Sequence, residues 1–190
     1  MARLFLGLDL PQPVAAHLEL MCGGLPGARW EAREKLHLTL RYLGEVDGGA
    51  QRAAVDALAR VRCPAFSMTL KGVGVFPPRG QPTSLWAGVA EPGPVAELRR
   101  RIDRALDRVD VEPDPRKFAP HVTLARFKEA PDVPAIVAYM GAHALFRSES
   151  FAVERFFLYS SVRSLKGSKY RIEAGFHLLE EGTGDGRPAR

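Results

Sequence analysis

His37-Leu38-Thr39-Leu40-Arg41-Tyr42-Leu43-Gly44-Glu45 alternates apolar and polar residues, which is the period of a half-buried β-strand. Leu36, Leu38, Leu40 and Tyr42 face one way in that reading, and His37, Thr39 and Arg41 face the other. The pattern returns 84 residues later as His121-Val122-Thr123-Leu124, again His, apolar, Thr, apolar. Side chains two apart on a strand share a face and lie about 6–7 Å apart. Each stretch therefore sets an imidazole beside a hydroxyl and anchors both with apolar residues on the opposite face.

Around these stretches the element order repeats. Arg3–Leu10 reads as a strand and Pro13 onward as a helix bearing Val14, Leu18 and Met21. Gly23-Gly24 ends it, and Leu36–Leu43 is the next strand. Gly48-Gly49 breaks the chain before a helix at Ala50–Val61, and Phe66–Val75 is a strand. Residues 76–82 hold three prolines and a glycine and read as a loop. The order then restarts with a strand at Ser84–Ala90, a helix at Pro94–Val109 and a strand at His121–Phe127. A helix at Val133–His143 and strands at Phe151–Ser161 and Tyr170–Leu179 follow. Residues 3–75 and 84–160 thus form two β-α-β-α-β halves with a final strand at 169–179. The whole is expected to be one domain over 1–180 with a flexible Gly-rich tail at 181–190. Strand–helix alternation fits either a parallel α/β sheet or a bilobed α+β fold with one sheet per half.

Composition narrows the class. Of 190 residues 46% are hydrophobic and 26% charged, which suits a folded globular chain and excludes wholesale disorder. No apolar run reaches the roughly 18 residues that span a bilayer, and the N-terminus is interrupted by Asp9, Pro11 and Pro13. A cytoplasmic protein with no membrane partner is expected, and a monomer. The net charge of +5 favours a polyanionic partner such as nucleic acid. Cys22 and Cys63 lack metal or disulfide spacing and read as small buried hydrophobes.

Two imidazoles titrating near neutrality can supply one base and one acid at once. In-line hydrolysis of a phosphodiester needs that division of labour. One His takes a proton from water, the other gives one to the departing alkoxide, and Thr hydroxyls donate to the non-bridging oxygens. No metal-ligand spacing accompanies either motif, so no metal is expected.

These features resemble the 2H (two-histidine) phosphoesterase superfamily and, within it, the RNA 2′,3′-cyclic phosphodiesterases, or 2′-5′ RNA ligase-like proteins. The likeness rests on Arg3-Leu4-Phe5-Leu6-Gly7-Leu8-Asp9-Leu10-Pro11, on the stretch His37 to Glu45, and on Phe118-Ala119-Pro120-His121-Val122-Thr123-Leu124-Ala125-Arg126. It implies a bilobed α+β fold of two pseudo-symmetric lobes, each with a mainly antiparallel sheet and flanking helices, around a catalytic cleft. It implies hydrolysis of terminal 2′,3′-cyclic phosphates on RNA to 2′-phosphomonoesters, without a cofactor. His37 then corresponds to the proton donor to the 3′-oxygen and His121 to the base on water. Thr39 and Thr123 correspond to phosphate-binding hydroxyls, and Arg126 to a basic phosphate ligand.

Simple alternation puts Arg126 on the strand face opposite His121, so that last role requires a bulge, a twist or a long reach. Alternation puts Arg41 on the His37 face as a substrate contact. Phe118 is a core residue or a base-stacking one. The face Arg99, Arg100, Arg101, Arg104 and Arg108 reads as a solvated helix face or an RNA-guiding surface. Trp30 and Trp86 read as core or lobe packing, and His17, His143 and His177 as structural. The same residues would run the reverse joining reaction or act on a small cyclic nucleotide. A cleft that binds a nucleotide or RNA end without turnover is the alternative from another class.

Overall fold

The computed structural model describes residues 2–77, 79–129, 131–164 and 167–179. The expected tail at 181–190 lies outside them. Ten strands and four α-helices are described: β1 (Ala2–Asp9), α1 (Gln12–Met21), β2 (Ala28–Trp30), β3 (His37–Val46), α2 (Gly48–Leu58), β4 (Phe66–Met68), β5 (Leu70–Phe76), β6 (Ser84–Val89), α3 (Gly93–Leu106), β7 (His121–Phe127), α4 (Val133–Ala142), β8 (Phe151–Val153), β9 (Arg155–Ser164) and β10 (Gly167–His177). A 3₁₀ turn at Arg33–Lys35 precedes β3.

The helices start where their sequences allow. Pro13 and Pro94 sit in first turns, where no intrahelical donor is lost. Asp47 accepts from the N–H groups of Gly49 and Ala50, so α2 begins at Gly48 and takes in the glycine pair expected to break the chain. Asp132 caps α4 in the same way. The apolar stripe of α3 (Val95, Leu98, Ile102 and Leu106) is fully buried.

One antiparallel sheet runs β10-β9-β1-β3-β7-β6-β5, with β2 also on β7. This is the α+β arrangement, not the parallel one. β3 and β7 meet through a single registered pair, Leu38 opposite Val122, and otherwise diverge. The sheet is thus two half-sheets hinged at that pair.

The halves of the sequence are not the halves of the sheet. The first contributes β1-α1-β2-β3-α2-β4-β5, and the second β6-α3-β7-α4-β8-β9. Yet β5 lies beside β6, and β9 beside β1. Each half-sheet takes a strand from the other half, β5 at the edge of one and β9, with the final strand β10 beyond it, in the other, and β4 pairs with β8 in a small separate sheet. The expectation of one sheet per half is corrected accordingly. Periodicity reports the order of elements but not their partners. The strands expected at Phe66–Val75 and Phe151–Ser161 are each two strands, interrupted at Thr69 and Glu154, because the chain leaves one sheet there and enters the other. β2 has three residues and no readable period.

Candidate active site

Because β3 and β7 run antiparallel past the Leu38–Val122 pair, His37 is next to Thr123 and Thr39 next to His121 on one sheet face. Leu38, Leu40, Val122 and Leu124 point the other way and are buried. The two distant motifs therefore form one square of alternating imidazoles and hydroxyls.

A bulge in each strand then reverses the phase. In β3, Leu6 pairs with Arg41 and Gly7 with Thr39, so Leu40 is the extra residue. In β7, Leu85 pairs with Ala125 and Trp86 with Thr123, so Leu124 is extra. Leu40 and Leu124 are 84 residues apart, the same offset as the histidines. After the bulge Arg41 and Ala125 turn into the protein, while Tyr42 and Arg126 turn to the histidine face. This corrects two expectations. Arg41 is not a cleft residue: it is 4% exposed and donates to Asp103 Oδ1 at 2.7 Å and to the Glu112 carbonyl at 3.2 Å. Arg126 does share the face of His121, and Tyr42, which sequence reasoning missed, shares that of His37.

Each bulge leaves a strand carbonyl to be satisfied. The Leu124 carbonyl accepts from the Glu31 N–H at 2.8 Å. The Leu40 carbonyl accepts from the guanidinium of Arg99, which also donates through Nε to Asp103 at 2.7 Å. Arg99 is only 7% exposed, so it leaves the solvated arginine face expected for α3. Asp103 thereby joins two buried guanidiniums, Arg41 and Arg99, beneath the first bulge.

The imidazoles are held alike. His37 Nδ1 lies 2.6 Å from the Lys35 carbonyl, and His121 Nδ1 lies 2.6 Å from the Ala119 carbonyl. A carbonyl only accepts, so Nδ1 carries the proton in both rings and Nε2 is the titrating atom. These backbone groups are the orienting partners that no side-chain pattern reveals. His37 Nε2 is 3.0 Å from Thr39 Oγ1.

Burial lowers both imidazoles below their ordinary pKa, and Arg126 adds to it in each case. The remaining charges differ. The carbonyl partner of each ring opposes the shift; Glu31 and Asp9 oppose it further at His37, whereas at His121 Arg116 deepens it.

Aromatic rings wall both histidines. Phe5, Tyr170 and Tyr159 surround His37 with centroids at 4.9, 5.3 and 6.1 Å. Phe76 and Trp86 lie 4.8 and 6.3 Å from His121. Trp86 thus packs beside His121, and Trp30 packs against Tyr139. The Trp86 indole lies across Gly74 of the neighbouring strand, where a Cβ would overlap Cζ2 and Cη2 of the ring. Gly74→Ala is expected to displace Trp86 and to cost about 1–3 kcal/mol as an overpacking change. Thermal denaturation, with tryptophan fluorescence as the second readout, checks it.

His121 lines a cavity of about 430 Å³ with Thr39, Thr123, Arg126, Tyr42 and Phe118. His37 lines an adjoining recess that shares Thr39, Tyr42, Thr123 and Arg126 and adds Glu31, Lys35 and Tyr170. The structure thus brings together His37, His121, Thr39, Thr123, Arg126 and Phe118. Arg126 is tied to Glu31 through Nε at 3.1 Å, and its side chain is otherwise well exposed to the cleft. The Phe118 ring packs on the core and under the Arg99 guanidinium at 5.3 Å, and Arg116 lies 4.7 Å over Tyr42.

His17, His143 and His177 line neither the cavity nor the recess. Cys63 is buried, and Cys22, half-buried, has its thiol pushed up to about 11 by burial. Among the described residues no group of three His, Cys, Asp or Glu is arranged to hold a metal, and no helix is long and apolar enough to cross a membrane.

Known proteins resemble this chain in sequence and in fold. The RNA 2′,3′-cyclic phosphodiesterase of Thermotoga maritima is 32% identical over 178 residues, covering 90% of this chain and 92% of that one. The protein of the same name from Geobacillus stearothermophilus is 36% identical over 86% of this chain, which spans 51% of the relative's length. Among solved structures, Escherichia coli LigT complexed with 3′-AMP superposes with a TM-score of 0.75 at 27% identity, covering 93% of this chain and 98% of that one. The family model of the 2′-5′ RNA ligase superfamily matches residues 13–164, and the chain belongs to that superfamily.

Proposed function

We propose that this chain is an RNA 2′,3′-cyclic phosphodiesterase that opens terminal 2′,3′-cyclic phosphates to 2′-phosphomonoesters with two histidines and no metal. The observation that carries the reading is the paired imidazole geometry. Both rings are fixed through Nδ1 to backbone carbonyls, which leaves Nε2 of each to exchange protons.

In this scheme the cyclic phosphate lies between the rings. His121 Nε2 takes a proton from water as its oxygen bonds to phosphorus. The P–O3′ bond breaks, and His37 Nε2 gives its proton to the leaving 3′-oxygen. Thr39, Thr123 and Arg126 donate to the non-bridging oxygens, where charge grows in the transition state. The division of roles is supported by the surrounding charges. Glu31 and Asp9 favour the imidazolium at His37, whereas Arg116 favours the neutral base at His121.

The test is an oligoribonucleotide ending in a 2′,3′-cyclic phosphate, incubated with and without EDTA. Ring opening at equal rates in both is expected. Tight binding without product would leave a binding module, and loss of turnover on chelation would overturn the metal-free scheme. Adding a 5′-hydroxyl acceptor in the same assay measures the joining reaction, in which that hydroxyl takes the place of water at phosphorus and the same groups move the protons.

A pH dependence follows from the lowered imidazoles. Productive free enzyme holds one proton between the two rings. Both sit below the ordinary 6.5, so that state is most populated on the acid side of 6.5 and kcat/KM should fall above it. A bound phosphodiester anion favours imidazolium and moves the kcat optimum to higher pH. Steady-state profiles from pH 4.5 to 9 check the separation of the two optima. A kcat/KM that climbs through pH 9 contradicts it.

A further inference from the structure

α3 has a second charged side that the cleft does not use. At 100° per residue, Arg101, Arg104 and Arg108 point roughly opposite to Arg99 and Asp103. There, between α2 and α3, runs a groove of about 650 Å³. Its floor is small and apolar, with Ala53, Ala57, Ala105 and Val109. Its rim carries Arg60, Arg62, Arg101, Arg104 and Arg108 against a single carboxylate, Asp56. That is an excess of four positive charges in a chain whose whole formal excess is five.

Two of the five are engaged: Arg101 with Glu97 and the Arg62 carbonyl, and Arg62 with the Ala59 carbonyl. Arg60, Arg104 and Arg108 are exposed and make no side-chain hydrogen bond or ion pair with another described residue. Like charges gathered without counter-charge repel one another and are stabilised by a polyanion. The guanidinium fork suits phosphate oxygens. The floor carries no aromatic ring on which a base could stack, so the contacts available are to the backbone and independent of base sequence.

We propose that the arginine groove between α2 and α3 binds the phosphate backbone of the RNA, away from the reacting end held in the cleft. The inference rests on the RNA-end reading above and extends it to substrate length. The cleft and the groove are separated by α3, a helix about 10–12 Å across with its side chains. A mononucleotide in the cleft cannot reach the groove, whereas a longer strand can.

The experiment compares a 2′,3′-cyclic mononucleotide with a 20-nucleotide RNA ending in the same group. It uses the full chain and a triple variant, Arg60→Ala, Arg104→Ala and Arg108→Ala. These exposed positions should leave folding intact, which circular dichroism verifies. For the long RNA the variant should raise KM about tenfold, and its salt dependence should weaken by about two units of log–log slope, the loss of three phosphate contacts on a single strand. Mononucleotide kinetics should not change. An unchanged KM on the long RNA, or an equal change on both substrates, overturns the proposal.

Should neither substrate turn over, the hydrolase reading fails on its own. The groove is then judged by anisotropy of a 20-mer with a plain 3′-hydroxyl, whose affinity must fall in the variant by the same factor. Poly-glutamate of equal charge is the competitor: displacement as strong as by RNA would mark an acidic protein surface as the occupant and overturn the RNA assignment.

Discussion

Replacing His121 or His37 with alanine is expected to lower kcat on a 2′,3′-cyclic phosphate by about 10²- to 10⁴-fold, the range for losing one acid or base. The fold should survive both changes. Each ring is only partly buried and is held by a backbone carbonyl, so its loss leaves no buried charge behind. The two variants should differ in one respect. A 3′-thio substrate releases a thiolate, which leaves without a proton. The His37→Ala defect should shrink towards wild type on that substrate, and the His121→Ala defect should persist. Equal defects on both substrates would contradict the assigned division of roles, and activity retained in both variants would refute the two-histidine scheme. The double variant should be little worse than the poorer single one, because the pair acts as a unit.

Asp103→Ala is expected to have the largest effect on stability. It strips the shared carboxylate from Arg41 and Arg99, which are 4% and 7% exposed and pair with no other carboxylate among the described residues. Breaking a buried pair by removing one partner costs about 3–5 kcal/mol, and the Asp103 side chain is 37% exposed, so a cost of about 2–4 kcal/mol is expected. For a chain of this length that is roughly 6–12 °C in Tm. A second readout ties the network to the site. Arg99 holds the Leu40 carbonyl, and Leu40 sets the phase that sends Tyr42, and not Arg41, to the cleft. Residual activity measured well below the new Tm should therefore fall too. Glu97→Ala, which removes solvent-screened pairs on the same helix, should lower Tm far less than Asp103→Ala and leave activity intact.

The paired His-x-Thr stretches were readable because both halves of the chain repeat them in the middle of an amphipathic strand. Their meeting follows from the pairing of Leu38 with Val122, which the repeat suggested and no local pattern specifies. What could not be read was the bulge. Strict alternation carries Arg41 to the cleft and Arg126 away from it, and one extra residue per strand inverts both. The signal was nonetheless present in one form: a basic residue five positions after His121 on an otherwise apolar strand end. Tyr42 was legible by the same offset from His37 only once that bulge is allowed. The partners of the imidazoles are carbonyls, which every residue carries, so side-chain identity says nothing of them. Arg99 looked like one more solvated arginine because its destination, a freed strand carbonyl, exists only in the folded sheet.

The exchange of outer strands has a mechanical consequence. Covalent chain crosses from lobe to lobe in both directions, with β5 and β9 each sewn into the opposite sheet. Neither sequence half can bury its own edge, so a fragment ending near residue 80 should be unable to stand alone and should regain order only when mixed with its complement. The same stitching restrains the lobes from swinging apart, which leaves the spacing of the two imidazoles preset by the weave and not by a ligand drawing the jaws together.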